Sequence, residues 1–587
     1  MLSSLARKEI LGLQNDLRSP EHGQYGFLQE LVKRVAYETL SKRDRKALHV
    51  AAARHLQEAY AAAEDDVVEI VAFHYVEAYR AAPDAPDASE LRASARAALV
   101  QAGERAASLA ARDEAQGYFD AAFDLADDAT EQGAIAERAG EMAAAATRRD
   151  DARERYERAA KLFGDAGDSQ SAARVSARLG ELLWLQFTKL DEAVELLERA
   201  LSVLTDAAPD EGIAALMAQA GRFHYFRGEL DLSSHWIERA LDAAEAGLYY
   251  EVLSQALNTK SLILRARGRI QEGLALLQYA LAIALEQDLP DAISRARFNL
   301  ANEYMTQDLH EEALEQDLRN VELVRLIGKR DLEVLGQIHL VFDYTALGRW
   351  DEVEGLLEEF PLQEDPNADP IRAIIQTAGL VTLANRGKLD RLEPILEAQR
   401  AVSDPSDIQD GMWSQFSTAL VRQAQGRLAE AQEAAEAAFA YRDALSLPAL
   451  AFPLMVAFEC AFELGRVDRA DELLRIAESA PPGQSSAFLR GHVARIRGRM
   501  ALAEGRHEET RRRLEESGAI FRAIKMPFWA ALADLQLAES LLAAGDGAAA
   551  EGRLRDAEET FVRLKAEPWL RRVEATRAAM GTAVVPA

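Results

Sequence analysis

The chain has 587 residues, about half of them apolar, a single cysteine, and a formal net charge of −29 with a pI near 4.9. That length exceeds one ordinary globular core, so several domains or one extended array are expected, and the lone Cys460 excludes an internal disulfide and a cysteine-built zinc site. So acidic an exterior repels phosphates, which disfavours general nucleic-acid affinity and an anionic membrane surface.

At the start of the chain, Arg7, Lys8 and Glu9 interrupt any apolar stretch of a signal peptide. No run approaches the roughly 18 apolar residues that span a bilayer, so no membrane is expected and the cytoplasm is the expected compartment. The aromatic run from Gln24 to Gln29, bounded by Gly23, fits a strand or wing. It leads into a helix pattern from Glu30 to Leu40, with Leu31, Val32, Val35, Ala36 and Leu40 on one face, and Ser41 then opens a second helix through Leu56. The segment is locally basic: Lys33, Arg34, Lys42, Arg43, Arg45, Lys46 and Arg54 stand against Glu30, Glu38 and Asp44. Such a face has two readings, a DNA contact or a solvated surface packed on another module, and the second is preferred.

The runs from Phe27 to Leu40 and from Arg43 to His49 resemble the segment that closes the ATPase module in large bacterial signal-transduction ATPases. Those proteins include class III adenylate/guanylate cyclase-like and MalT- or LuxR-like regulators. The resemblance implies a winged-helix-like linker between a nucleotide-binding domain and a tetratricopeptide array, and an array that restrains the module or receives a signal.

A helix pattern from Asp65 to Ala82 ends in the Pro-containing break Ala82 to Asp87, the best domain boundary in the chain. Ala-rich helices from Ser89 onward fit degenerate repeats with turns near Arg112, Arg149 and Thr188 and small residues Ala122, Ala159 and Ala200 downstream. The expected division is therefore 1–60 linker remnant, 61–88 connecting helix and break, 89–580 repeat array, and 581–587 a frayed tail.

From there the sequence keeps a beat. Gly228, Gly268, Gly348, Gly387, Gly426, Gly465, Gly505 and Gly545, with Asp308 filling the gap, recur at intervals of 40, 40, 40, 39, 39, 39, 40 and 40. A fixed period of this length marks a solenoid of supersecondary units that bury their apolar faces against neighbours. Each mark separates two helix patterns, and small residues recur five positions later (Ser233, Gly273, Ala313, Ala431, Ala470, Ala550) and twelve later (Ala240, Ala280, Ala438, Ala477, Ala557). Small side chains there let the two helices of a hairpin approach closely. A turn Gly followed by Ala at those two offsets resembles the tetratricopeptide repeat, with helices longer than its usual unit. HEAT and armadillo units have a compatible period but not this signature. The fold class that follows is all-α: a right-handed superhelical solenoid of about eleven or twelve tetratricopeptide-like hairpins behind the winged-helix-like remnant.

Prolines such as Pro290, Pro527 and Pro568 fall in the predicted connections and are expected to end helices there. Pro394, inside a predicted second helix, predicts a kink or a late start. Cys460, between Phe458 and Phe462, reads as a packing thiol.

Chemistry is sought and not found. The phosphate-cradling pattern G-x-x-x-x-G-K-[ST] occurs nowhere, and no H-E-x-x-H or tight His/Asp cluster appears. His224 and His235 flank the Gly228 turn and read as packing or surface histidines. No catalytic residue, cofactor or metal is expected. What remains is binding: in tetratricopeptide arrays the first helix of each unit lines a concave channel, and Arg222, Lys260, Arg295, Asn299, Asn302 and His339 fall on that face, side chains that would hold a carboxylate. The expected function is a non-catalytic scaffold and sensor with a protein or peptide in the groove, attached to an ATPase or cyclase module. Two alternatives stand beside it: an adenylate cyclase or ATP-binding protein by descent, and a transcriptional regulator that touches DNA through Lys33, Arg34, Arg43, Arg45 and Lys46.

Overall fold

The computed structural model of the chain describes residues 2–13, 25–60, 67–146, 148–187, 190–204, 210–368, 370–403, 408–443, 445, 447–481, 483 and 485–583. Apart from one two-stranded ribbon and the connections, these residues are helical. They form two compact units, Met1–Glu229 and Leu230–Ala587. Each is an all-α stack of tetratricopeptide-like hairpins.

In the first unit, strand β1 (Leu11–Leu13) pairs antiparallel with β2 (Tyr25–Phe27), Leu11 opposite Phe27. Helix Glu30–Glu38 follows, then Lys42–Ala59, whose N-cap Ser41 accepts the Asp44 N–H at 3.1 Å. The apolar stripe of Glu30–Glu38 is only partly covered: none of its nine residues is buried, Val32 and Ala36 are half-buried, and Leu31 and Val35 are 61% and 53% exposed. Beyond helix Val68–Ala81 come three hairpins: Ala88–Ser108 with Arg112–Phe123, Ala129–Ala145 with Arg149–Asp165, and Ser169–Phe187 with Leu190–Leu204. Ala122, Ala159 and Ala200 are buried in their seams. The turn expected at Thr188 lies outside the described residues.

From Gly228, near the end of the first unit, through the second unit, the turns show why the beat exists. Every marked glycine closes the first helix of a hairpin in the left-handed region, with φ between 69° and 85°. Glycine has no Cβ to clash there. Asp308 takes the same conformation at φ 62°. Midway between the marks stands a second series in the left-handed region: Leu248, Asp288, Gly328, Lys525 and Lys565. The underlying step is thus a 17-residue helix and a three-residue turn, as in Tyr250–Ala266, Ile270–Glu286, Pro290–Thr306 and His310–Leu326. The small residues sit where they were expected. Ser233, Ala313, Ala431, Ala470 and Ala550 are fully buried, and a Cβ on Gly273 would stand 2.9 Å from the Ser261 carbonyl oxygen.

Two expectations need correction. Pro290 and Pro527 begin the following helices, and Pro568 lies in the first turn of the last one; a missing N–H is harmless where no intrahelical acceptor exists. Pro394 causes no late start, because helix Leu389–Val402 begins directly after Lys388 and contains it.

Water is not excluded by adjacent hairpins alone. Three hairpin turns of the second unit dock on the starts of first helices about 180 residues later. Asp308 accepts the Phe488 N–H at 2.8 Å, Gly348 and Trp350 meet Pro527 and Phe528, and Gly387 meets Pro568. Buried Arg386 donates to the Leu564 carbonyl at 3.0 Å and pairs with Asp351 and Glu354, each at 2.6 Å. Two lysines from the intermediate turns reach back across the same seam, Lys525 to Glu311 and Lys565 to Asp351.

Candidate binding face

Successive first helices of the second unit stand side by side, and the residues between them decide what that face can hold. From Tyr250–Ala266 to Pro290–Thr306 the contact is polar. The Arg295 guanidinium donates to the Gln255 amide oxygen and, at 2.7 Å, to the Thr259 hydroxyl; Asn299 donates to the Asn258 amide oxygen at 2.6 Å. Both predicted residues are half-buried, so each keeps an edge toward solvent.

The other predicted residues distribute around this ladder. Asn302 lies one turn beyond Asn299, half-buried. Lys260 turns to Glu238 on the preceding second helix, 2.9 Å away. His339 stacks on Phe298 with ring centroids 4.3 Å apart and places Nδ1 3.2 Å from Asp317. Arg222 belongs to the first unit, where its guanidinium lies 5.9 Å from the Phe226 ring and burial lowers its pKa against the pull of Glu181. The ladder therefore joins Arg295 and Asn299 directly, places Asn302 and His339 beside them, and leaves Lys260 in an ion pair.

Sequence reasoning missed the acceptors Gln255, Asn258 and Thr259. The signal that finds them is the beat itself: Gln255 and Thr259 occupy, one 40-residue step earlier, the positions of Arg295 and Asn299. Further along, first helices meet through aromatic rings. Phe342 stacks on Trp413 at 5.4 Å, Trp413 meets Phe416 edge-on, and Phe452 lies tilted between buried Phe416 and Phe488, 4.4 Å from the latter.

The basic segment of the first unit is partly neutralised. Lys46 pairs with Asp87, Lys33 lies 3.4 Å from Glu30, and Arg45 sits over the Tyr37 ring at 5.3 Å. Arg34 and Arg43 are exposed. His224 bonds Glu229 at 2.6 Å and faces Glu198 at 3.5 Å, while His235 packs beside Trp236. Cys460 is fully buried, its thiol pushed up to about 12 by burial and by Glu459 and Glu463. Among the described residues no group of three or more His, Cys, Asp or Glu side chains could hold a metal ion, and no helix is long and apolar enough to cross a membrane.

No family model matches the chain, and no curated protein sequence does. Solved structures do. The apo form of the quorum sensor NprR from B. thuringiensis is similar over 68% of this chain and 99% of its own, at 12% identity and a TM-score of 0.34. The Rap protein complexed with competence and sporulation factor matches 67% of this chain and 99% of its own, at 11% identity and a TM-score of 0.37. A signal transduction ATPase with numerous domains from Pyrococcus horikoshii, which carries a tetratricopeptide repeat sensor, matches 80% of this chain and 60% of its own, at 12% identity and a TM-score of 0.36.

Proposed function

We propose that the chain is a non-catalytic interaction scaffold whose first-helix face binds an extended protein or peptide segment. The observation that carries this reading is the ladder of Arg295, Gln255, Thr259, Asn258 and Asn299, a polar strip between two first helices in which Arg295, Gln255 and Asn299 are half-buried and Asn258 and Thr259 are buried. Burying amides and a guanidinium in place of leucines lowers stability unless each is bonded. A binding face is what such a strip supplies.

The resemblance of residues 27–49 to the linker of signal-transduction ATPases extends the reading: the chain serves as the sensor or regulatory region of an ATPase- or cyclase-type regulator. The exposed stripe of Leu28, Leu31 and Val35, beside Tyr25 and Phe27, supports a module docked on the first unit, because an apolar surface of that extent beside basic side chains costs solubility unless covered. Division at the Pro83–Pro86 break, with a linker before it and the array after it, belongs to the same proposal.

Selection from a displayed random-peptide library with the purified chain tests the scaffold reading. Enriched peptides should lose binding to an Arg295→Glu, Asn299→Leu double variant that unfolds at the wild-type midpoint; peptides that ignore the double change would place the ligand elsewhere. Saturable binding of ATP to the purified chain would replace the scaffold with the ATP-binding alternative. Salt-dependent DNA retention, lost on neutralising Arg43, Arg45 and Lys46, would favour the DNA-binding one.

A further inference from the structure

Nine residues past each turn mark, the second helices of the second unit place a core side chain: Leu277, Leu357, Leu396, Leu474, Leu514 and Leu554 are all buried there. In one hairpin that position is Asp317, with no exposure at all. A carboxylate in a leucine's place is costly unless it is bonded or protonated. Asp343, on the next first helix, is equally buried. Each receives one histidine: His339 Nδ1 is 3.2 Å from Asp317 Oδ1, and His310 Nδ1 is 2.8 Å from Asp343 Oδ1. The second oxygen of each carboxyl is buried, and the two carboxyls lie close enough to share a hydrogen bond once one is protonated.

We propose that His310, Asp317, His339 and Asp343 form a buried proton-binding site that tightens the joint between helices His310–Leu326 and Arg330–Ala346 as the surroundings become acidic. With both carboxyls ionised, Asp317 and Asp343 bring two buried negative charges together, each with one histidine as partner. One proton halves that charge, and a second cancels it. The first is shared between the two neighbouring carboxyls.

Charged neighbours are present too, Arg349 and Glu352 beside Tyr344 among them. Asp343 is influenced by His310, Asp317 and His339, and Asp317 by His339 and Asp343. On the preceding turn Asp308 faces His310 and feels Arg490, and the Tyr344 hydroxyl is influenced by Asp343. From Pro290–Thr306 the neighbour of His339 is the uncharged Phe298 ring. Burial raises both aspartates, Asp343 to about 6, with the histidines opposing. An acid raised on folding stabilises the fold at low pH, and that contribution is lost as pH rises through the folded value. The loss therefore runs upward from the ordinary 3.8 and is complete just above pH 6, so a scan from pH 5 to 7.5 covers its upper part.

Hydrogen exchange of the full chain, corrected for intrinsic rates and followed by mass spectrometry between pH 5 and pH 7.5, tests this. Amides in 310–346 should lose about tenfold in protection across that range, the change expected from one pKa unit of coupling, while helices 230–286 keep theirs. Asp343→Asn and Asp317→Asn, which fix the neutral form, should each flatten the profile. A flat wild-type profile, or an equal slope surviving in both variants, overturns the proposal. Should one variant fail to fold, the other and the wild-type profile decide it.

Discussion

The Asp308 carboxylate accepts the backbone N–H of Phe488 at 2.8 Å, across 180 residues of chain. Phe488 is the second residue of helix Ala487–Ala503, so its N–H has no intrahelical acceptor. Asp308 is also the one turn mark that is not glycine. The side chain that strains the turn is the one that ties two distant hairpins together.

Replacing Asp308 by Ala keeps the strain and removes the acceptor, and should destabilise the second unit by about 2 to 3 kcal/mol. Asn keeps a side-chain acceptor and tolerates a positive φ, so its cost should stay below about 1 kcal/mol. Urea unfolding of the two variants checks this, and equal midpoints would mean that the long-range bond contributes nothing.

Arg386 is 3% exposed and holds the Leu564 carbonyl, Asp351 and Glu354 together. Arg386→Met should cost about 2 kcal/mol, a value discounted because both carboxylates still reach water. A double-mutant cycle with Lys565→Met, read by thermal unfolding, should show the two changes to be non-additive through their shared partner Asp351.

Gly273 and Gly355 should respond oppositely to alanine. A Cβ on Gly273 would press on the Ser261 carbonyl, whereas Gly355 has nothing within 4 Å. Gly273→Ala is expected to destabilise by about 1 to 3 kcal/mol and Gly355→Ala to stabilise by about 0.5 to 1 kcal/mol. Calorimetric melts of both proteins decide it: matching signs would contradict the packing described for this seam.

Glu393 lies against Arg422 at 2.6 Å, and this bond, with one from Gln425, lowers its pKa from the ordinary 4.5 to about 2. An acid depressed on folding stabilises above its unfolded value, and the contribution disappears as pH falls through the folded one. Wild-type stability should therefore decline between about pH 4.5 and 2 more steeply than that of Glu393→Gln. Parallel acid-unfolding curves for the two would refute it.

The glycine beat was legible because a left-handed turn selects for the residue without a Cβ. The half-step between hairpins was not, because Leu248, Asp288, Lys525 and Lys565 adopt the same conformation there without a shared residue type. Those positions accept a strained side chain, and at Lys525 and Lys565 the side chain has a use in the seam. On the candidate face, Arg295 and Asn299 were visible as polar residues on a first helix, but their partners emerge only when adjacent repeats are laid in register. Asp317 was hidden by habit of reading: a charged residue on a helix suggests solvent, and only its offset from the turn places it among leucines. The seam with helices 180 residues away leaves no local signature, since the pattern within one hairpin does not encode which later hairpin it meets.

Lys525 reaches Glu311 and Lys565 reaches Asp351 over the same span, 214 residues in each case. Repeat proteins usually gain or lose whole units by duplication or deletion with little penalty. Here a hairpin added or removed between those partners would shift every tie by one rung, so the repeat number inside this interval is fixed by its own closure while the flanks remain free to vary.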